Sequence, residues 1–148
     1  MKILQFGKFY PPAIGGIETV MFDITEQLNS KGVICDVLCS SLIYKDETHK
    51  IKDYTVFRTK SFGKLFSTSI TPKMIFKLRE LICGYDIVHI HLPDPMANLA
   101  LFCANKSDVK VIVHWHSDII NQKLLLKLYK PLQNWLLNRA DAVIATTP

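Results

Sequence analysis

Apolar residues along this 148-residue chain gather in short unbroken runs, separated by stretches in which they return every three to four positions. The first run, KILQF at 2–6, predicts a strand, and from Gly16 onward Ile17, Val20, Met21, Ile24 and Leu28 follow at helical spacing. Gly32 marks the stop of that helix, and VICDVLCS (33–40) reads as the second strand. Residues 41–53 are polar and loop-like, and YTVFRTKS (54–61) is the third strand. Thr71 before Pro72 predicts an N-cap with a first-turn proline, after which Ile75, Leu78, Leu81 and Ile82 mark a helix face. DIVHIHL (86–92) is a buried strand, MANLALFCANK a helix and VKVIVHWH (109–116) the fifth strand. A longer helix over 121–139, bent at Pro131, leads to the sixth strand in DAVIATTP.

Apolar strands alternating with helices imply a parallel sheet covered on both faces. The fold class is α/β: a Rossmann-like, doubly wound parallel sheet of six strands in one domain spanning 1–148. The common strand order for this class, 3-2-1-4-5-6, places the topological switch between the first and fourth strands. The loops KFYPPAIGGIE, PDP and SDII then crowd one crevice, where ligands of such folds bind.

Composition narrows the picture. Hydrophobic residues make up 49% of the chain, enough for a real core, yet no apolar run approaches a membrane span. The start MKILQFGKFYPP lacks a signal-peptide core, so a cytoplasmic location is expected. Cys35, Cys39, Cys83 and Cys103 form no metal or disulfide spacing, and all four read as buried free thiols. Of the net charge of +5, six basic residues lie between Arg58 and Arg79 with no acid among them, and four lie between Ile120 and Ala140, again without an acid. No aromatic-and-basic platform accompanies them, which argues against nucleic acid.

The glycine-rich turn after the first strand fits neither the dinucleotide fingerprint nor the P-loop, because Ile17 follows Gly15 and Gly16 and no acid ends the second strand. It leaves two readings open: a plain glycine-permitted turn, or helix-end amides that favour an anion such as a diphosphate. His89 and His91 share one face of the fourth strand, and His114 and His116 share one face of the fifth. Four imidazoles raise zinc, but no thiol or carboxylate lies at ligand spacing, so no metal is expected and His89 and His114 read as core or edge histidines. His91 and His116 differ, because they fall at the carboxyl ends of their strands, on the crevice.

Together, FYPPAIGGIE, HIHLPDP, HWHSDII and ADAVIATTP, in this order, resemble the N-terminal domain of family 4 (group 1) glycosyltransferases, retaining enzymes of the GT-B fold. The resemblance covers essentially the whole chain. It implies a transferase moving a hexose from a nucleotide-sugar donor to a glycan or lipid-linked acceptor, in lipopolysaccharide or other surface-polysaccharide synthesis, with no cofactor and no metal. Carried onto this sequence, Gly15 and Gly16 would offer amides to the donor diphosphate, and His116 would contact the transferred sugar as the catalytic residue. Glu18, His91, Asp94 and Asp118 are candidates for acceptor or sugar binding; for Asp94 and Asp118, helix N-capping is an equal reading. No DxD motif and no glycosidase-type carboxylate pair stands out.

The resemblance also implies a second, nucleotide-sugar-binding domain that this chain does not carry, so a fragment with little activity of its own is expected. Lys123, Lys127, Lys130, Asn134 and Asn138 fall on one stripe of the last helix. An ordinary surface helix explains them; the functional reading is peripheral contact with anionic lipid at the inner face of the plasma membrane. The competing class is a non-catalytic Rossmann module that binds a nucleotide or sugar.

Overall fold

In the computed structural model, residues 1–65, 68–104, 108–117 and 123–145 are described. Strand β1 (Lys2–Phe6) leads to helix α1 (Gly16–Ser30), then to β2 (Ile34–Ser40), β3 (Glu47–Ile51) and β4 (Tyr54–Thr59). A two-residue-stranded hairpin, β5 (Lys64–Leu65) and β6 (Thr68–Ser69), precedes α2 (Lys73–Leu81) and a 3-10 turn at Ile82–Gly84. Strand β7 (Ile87–Leu92), α3 (Pro95–Ala104), β8 (Lys110–Trp115), α4 (Lys123–Arg139) and β9 (Ala142–Ala145) complete the order.

The main sheet runs β3-β4-β2-β1-β7-β8-β9. All its pairings are parallel except β3 against β4. Without β3 this is the expected doubly wound order, with the switch between β1 and β7. The edge strand β3 corrects the loop reading of 41–53. Its sequence, ETHKI, carries polar residues because one side faces solvent, and it returns into β4 through Lys52 at φ 49°. A tight hairpin turn needs such a left-handed residue, and glycine or asparagine usually announces it. Lysine in that place hides the hairpin from the pattern.

Alternation along the strands divides the core by face. Leu4, Phe6, Leu38, Val88, Ile90, Val111 and Val113 pack with Met74, Leu78, Leu101 and Leu136 on the side of α2, α3 and α4. The other face packs Val37, Cys39 and Val56 against Met21 of α1 and against Tyr10 and Tyr54. Tyr10 belongs to the loop after β1, and its hydroxyl lies 3.0 Å from that of Tyr54, so this loop is anchored in the core. Arg58 also holds it, donating from Nη2 to the carbonyl of Pro11.

Two expectations need correcting. Thr71 does not cap α2 with its side chain: the buried hydroxyl pairs with Ser40 (2.8 Å) and Ser69 (2.9 Å), while Pro72 already has helical dihedrals. Cys35 and Cys39 are buried, with thiols pushed up to about 11 and about 12 by burial, but Cys83 and Cys103 are exposed. Cys83 sits in the 3-10 turn, and Cys103 falls on the solvent side of α3. Helix α4 runs from Lys123 to Arg139 with Pro131 inside it, as the sequence predicts. Among the described residues, no helix is long and apolar enough to cross a membrane.

Candidate active site

Because β1, β7 and β8 are parallel neighbours, their carboxyl ends and the loops that follow lie along one edge of the sheet. That edge brings together the start of α1, the His91–Asp94 segment and His116. Gly15 is the N-cap of α1 with no side-chain cap, and its φ of 176° is extended backbone open to any residue. What Gly15 supplies is room, since a Cβ there would stand 2.2 Å from Glu18 Oε2. The Glu18 carboxylate therefore folds back over the loop, and nothing crowds Gly16. The first-turn amides of α1 have no intrahelical acceptor and form a positive dipole end.

One face of β7 and β8, beside Gln5 of β1, carries a stack of imidazoles that His116 just after β8 continues. His89 and His114 are parallel at 5.5 Å, and His114 and His116 stack at 4.1 Å. His91 is almost wholly buried. Its Nδ1 lies 2.9 Å from His116 Nε2, and its Nε2 lies 2.6 Å from Gln5 Oε1. Burial first, then the neighbouring imidazoles, pushes His91 down to about 2, and the same causes push His89 and the half-buried His116 down to about 4. These rings are neutral at physiological pH.

Among the described residues, His89, His91 and His114 form a group that could hold a metal, with one nitrogen of each within 4.8 Å of the others. The orphaned His89 Nε2 and His114 Nδ1 belong to it. An imidazole lone pair lies in the ring plane, however, and tetrahedral ligation needs those planes to converge. The His89 and His114 rings are parallel and so do not converge, and His91, tilted 33° to both, already uses both nitrogens.

Asp94 caps α3, accepting from the amides of Met96 (3.1 Å) and Ala97 (3.3 Å) at Oδ1, with Pro95 in the first turn. Its Oδ2 is buried without a hydrogen-bond partner among the described residues, and burial pushes the carboxyl up to about 6. Asn98, one turn on, donates to the Tyr129 hydroxyl of α4. Asp118 lies outside the described residues.

With the strand-end histidines and the α1 N-terminus on one edge of the sheet, the chain's sequence matches a known family. The sequence profile of Glycosyltransferase Family 4 covers residues 14–148. The chain belongs to that family. Two curated relatives align over the whole chain. The O-antigen chain mannosyltransferase C of Escherichia coli is 31% identical and the D-rhamnosyltransferase WbpZ of Pseudomonas aeruginosa is 34% identical. The chain spans 40% and 39% of their respective lengths. In structure it resembles the sucrose-phosphate synthase of Thermosynechococcus elongatus, with a TM-score of 0.70 at 15% identity, over 100% of this chain and 43% of that one. The architecture of this family 4 chain is accordingly that of the N-terminal, Rossmann-like half of a GT-B glycosyltransferase.

Of the residues singled out from the sequence, His91, His116, Gly15, Gly16, Glu18 and Asp94 all border this sheet edge. Three contributors were missed. Gln5 and Arg58 are polar side chains inside apolar strands, KILQF and YTVFRT, and that mismatch was their available signal. The Asn98–Tyr129 pair joins helices 31 residues apart, which no local pattern reports.

Proposed function

We propose that this chain is the acceptor-side half of a retaining glycosyltransferase that moves a hexose from a nucleotide sugar to a glycan or lipid-linked acceptor in surface-polysaccharide synthesis. What supports the reading is that the α1 N-terminus follows β1 and the hydrogen-bonded His91–His116 pair ends β7 and follows β8, on the same carboxyl edge at the switch point of a family 4 fold. The names of the two relatives, an O-antigen chain mannosyltransferase and a D-rhamnosyltransferase, favour a hexose or deoxyhexose donor.

In this reading the anomeric C–O bond to the diphosphate breaks through an oxocarbenium-like state, and negative charge grows on the leaving phosphate. The amides of Gly15 and Gly16, at the positive end of α1, stabilise that charge without a metal. Glu18 must swing away as the diphosphate arrives, since its carboxylate leans over Gly15. His116 touches the transferred sugar as the catalytic residue, with His91 behind it. Asp118, and Asp94 once its buried and, among the described residues, partnerless Oδ2 is uncovered, receive acceptor hydroxyls. Departing phosphate oxygen takes the acceptor proton, so no second carboxylate is required. Lys130, Asn134 and Asn138 are exposed on α4, which supports a polar stripe able to meet anionic lipid from the cytoplasmic side.

The test is transfer by the complete gene product from GDP- and UDP-linked hexoses to a lipid-linked acceptor, with the product's anomeric configuration read by NMR. Retained configuration, insensitivity to chelator and loss of transfer in His116→Ala are expected. An inverted product overturns retention, and full activity in His116→Ala overturns the assigned site.

A further inference from the structure

We propose that Gln5 is a positioning residue, which fixes through His91 the tautomer that His116 presents to the crevice. The inference rests on the reading of His116 as the group that meets the transferred sugar, and it names what kind of contact that group can make. Gln5 is fully buried in β1, where the pattern KILQF otherwise calls for an apolar residue. Its Oε1 lies 2.6 Å from His91 Nε2, and a carbonyl oxygen only accepts, so that nitrogen carries the hydrogen. A neutral imidazole has a single N–H, which leaves the lone pair of His91 on Nδ1. His116 Nε2, 2.9 Å from that lone pair, must then be the donor. One N–H on His116 is thereby assigned to Nε2, and Nδ1 becomes its acceptor atom.

The consequence is chemical selectivity. In this form the Nδ1 of His116 is an acceptor by chemistry, matched to a sugar hydroxyl and carrying no hydrogen for a phosphate oxygen. Phosphate recognition is left to the α1 amides, and hydroxyl recognition to His116. The second amide atom of Gln5, Nε2, makes no full hydrogen bond among the described residues, but it approaches Cys35 and acts there as a weak donor that draws the thiol back against burial. Had the amide stood the other way round, Nε2 would donate to His91 and every hydrogen in the relay would reverse. His116 would then carry Nδ1–H. The orientation of one buried amide thus decides whether the histidine two strands away is an acceptor or a donor.

Long-range proton–nitrogen correlation spectra of the histidine-labelled chain at about pH 7.5, well above the imidazole range, read each tautomer directly. Wild-type His91 and His116 are expected as Nε2–H forms. Gln5→Glu, read at a pH where its carbon-13 shift shows the carboxyl ionised and so able only to accept, is expected to keep both assignments. Gln5→Leu, of similar volume and without hydrogen bonds, is expected to lose the preference and give mixed tautomers at both rings. An Nδ1–H tautomer of wild-type His116, reversed tautomers in Gln5→Glu, or unchanged tautomers in a folded Gln5→Leu would each overturn the proposal. If Gln5→Leu does not give a dispersed amide spectrum, the comparison of wild type with Gln5→Glu still decides. The measurement needs no sugar donor. Correct tautomers without transfer by the complete gene product would leave this inference standing and sink the function, and the reverse result would do the opposite.

Discussion

Two glycines of the loop after β1 show how differently the same residue type can be constrained. A Cβ on Gly7 would stand 2.8 Å from the sulfur of Met21, which is fully buried between α1 and the sheet. Gly7→Ala is therefore expected to cost about 1–3 kcal/mol by overpacking, measured by urea unfolding. Gly15→Ala meets only the far end of the Glu18 side chain, which can swing into solvent, so its cost should stay within about 0.5 kcal/mol. Equal losses for the two would show that the loop, and not the space around each glycine, sets the requirement. At Asp94 the cap of α3 is at stake: Asp94→Ala should cost about 1 kcal/mol, while Asp94→Asn, which keeps an acceptor at Oδ1, should cost less. A stabilised Asp94→Ala would mean that relief of the buried, partnerless Oδ2 outweighs the cap.

At the scale of elements, β7 was legible because Val88, Ile90 and Leu92 give an apolar run that packs under α2 and α3, while pairing with β1 on one side and β8 on the other makes it a central strand. Ile90→Ala is expected to lose about 2–5 kcal/mol, read from the unfolding midpoint. An effect below that range would mean that α2 and α3 collapse into the space. The loop between β1 and α1 depends on a distant element, because Arg58 of β4 donates to Pro11 across 47 positions of sequence. Arg58→Leu should keep the fold and raise hydrogen exchange in residues 8–15 before any other segment. Unchanged exchange there would leave Tyr10 as the sole anchor. Strand β3 and the short hairpin escaped the sequence reading for a related reason. Edge strands carry polar residues, and the Lys52 turn has none of the usual glycine or asparagine.

For the whole molecule, the buried imidazoles make stability depend on pH. His89 and His116, held near 4, and His91, near 2, titrate at about 6.5 in the unfolded chain. As pH falls below 6.5 the unfolded chain binds protons that the native state refuses, so stability is lost from there down to pH 4. Asp94 works in the opposite sense. Its native value near 6 lies above the unfolded 3.8, so the native state gains protons over that window and is favoured by acid. Three histidines outnumber it, and with about 1.4 kcal/mol per proton per pH unit the net loss should be about 2–3 kcal/mol per pH unit between 6 and 4. Urea midpoints taken across that range check the sign, and a midpoint that rises toward pH 4 would contradict the native values of the histidines. Asp141, held down to about 2 by the Val111 amide and Lys110, adds to acid sensitivity only below about pH 4.

What the amino-acid sequence determined alone was the run of six parallel strands with their helices, the doubly wound order and the placing of His91 and His116 at strand ends. Apolar periodicity and strand-end position are local or nearest-neighbour properties, written directly in residue spacing. Only tertiary structure decided that Gln5 touches His91, that Arg58 holds the Pro11 loop, that Glu18 leans over Gly15 and that two of the four cysteines face solvent. Each of those depends on which side chains meet across 3 to 86 positions of sequence, or on which side of a helix is left uncovered, and no local pattern carries that information.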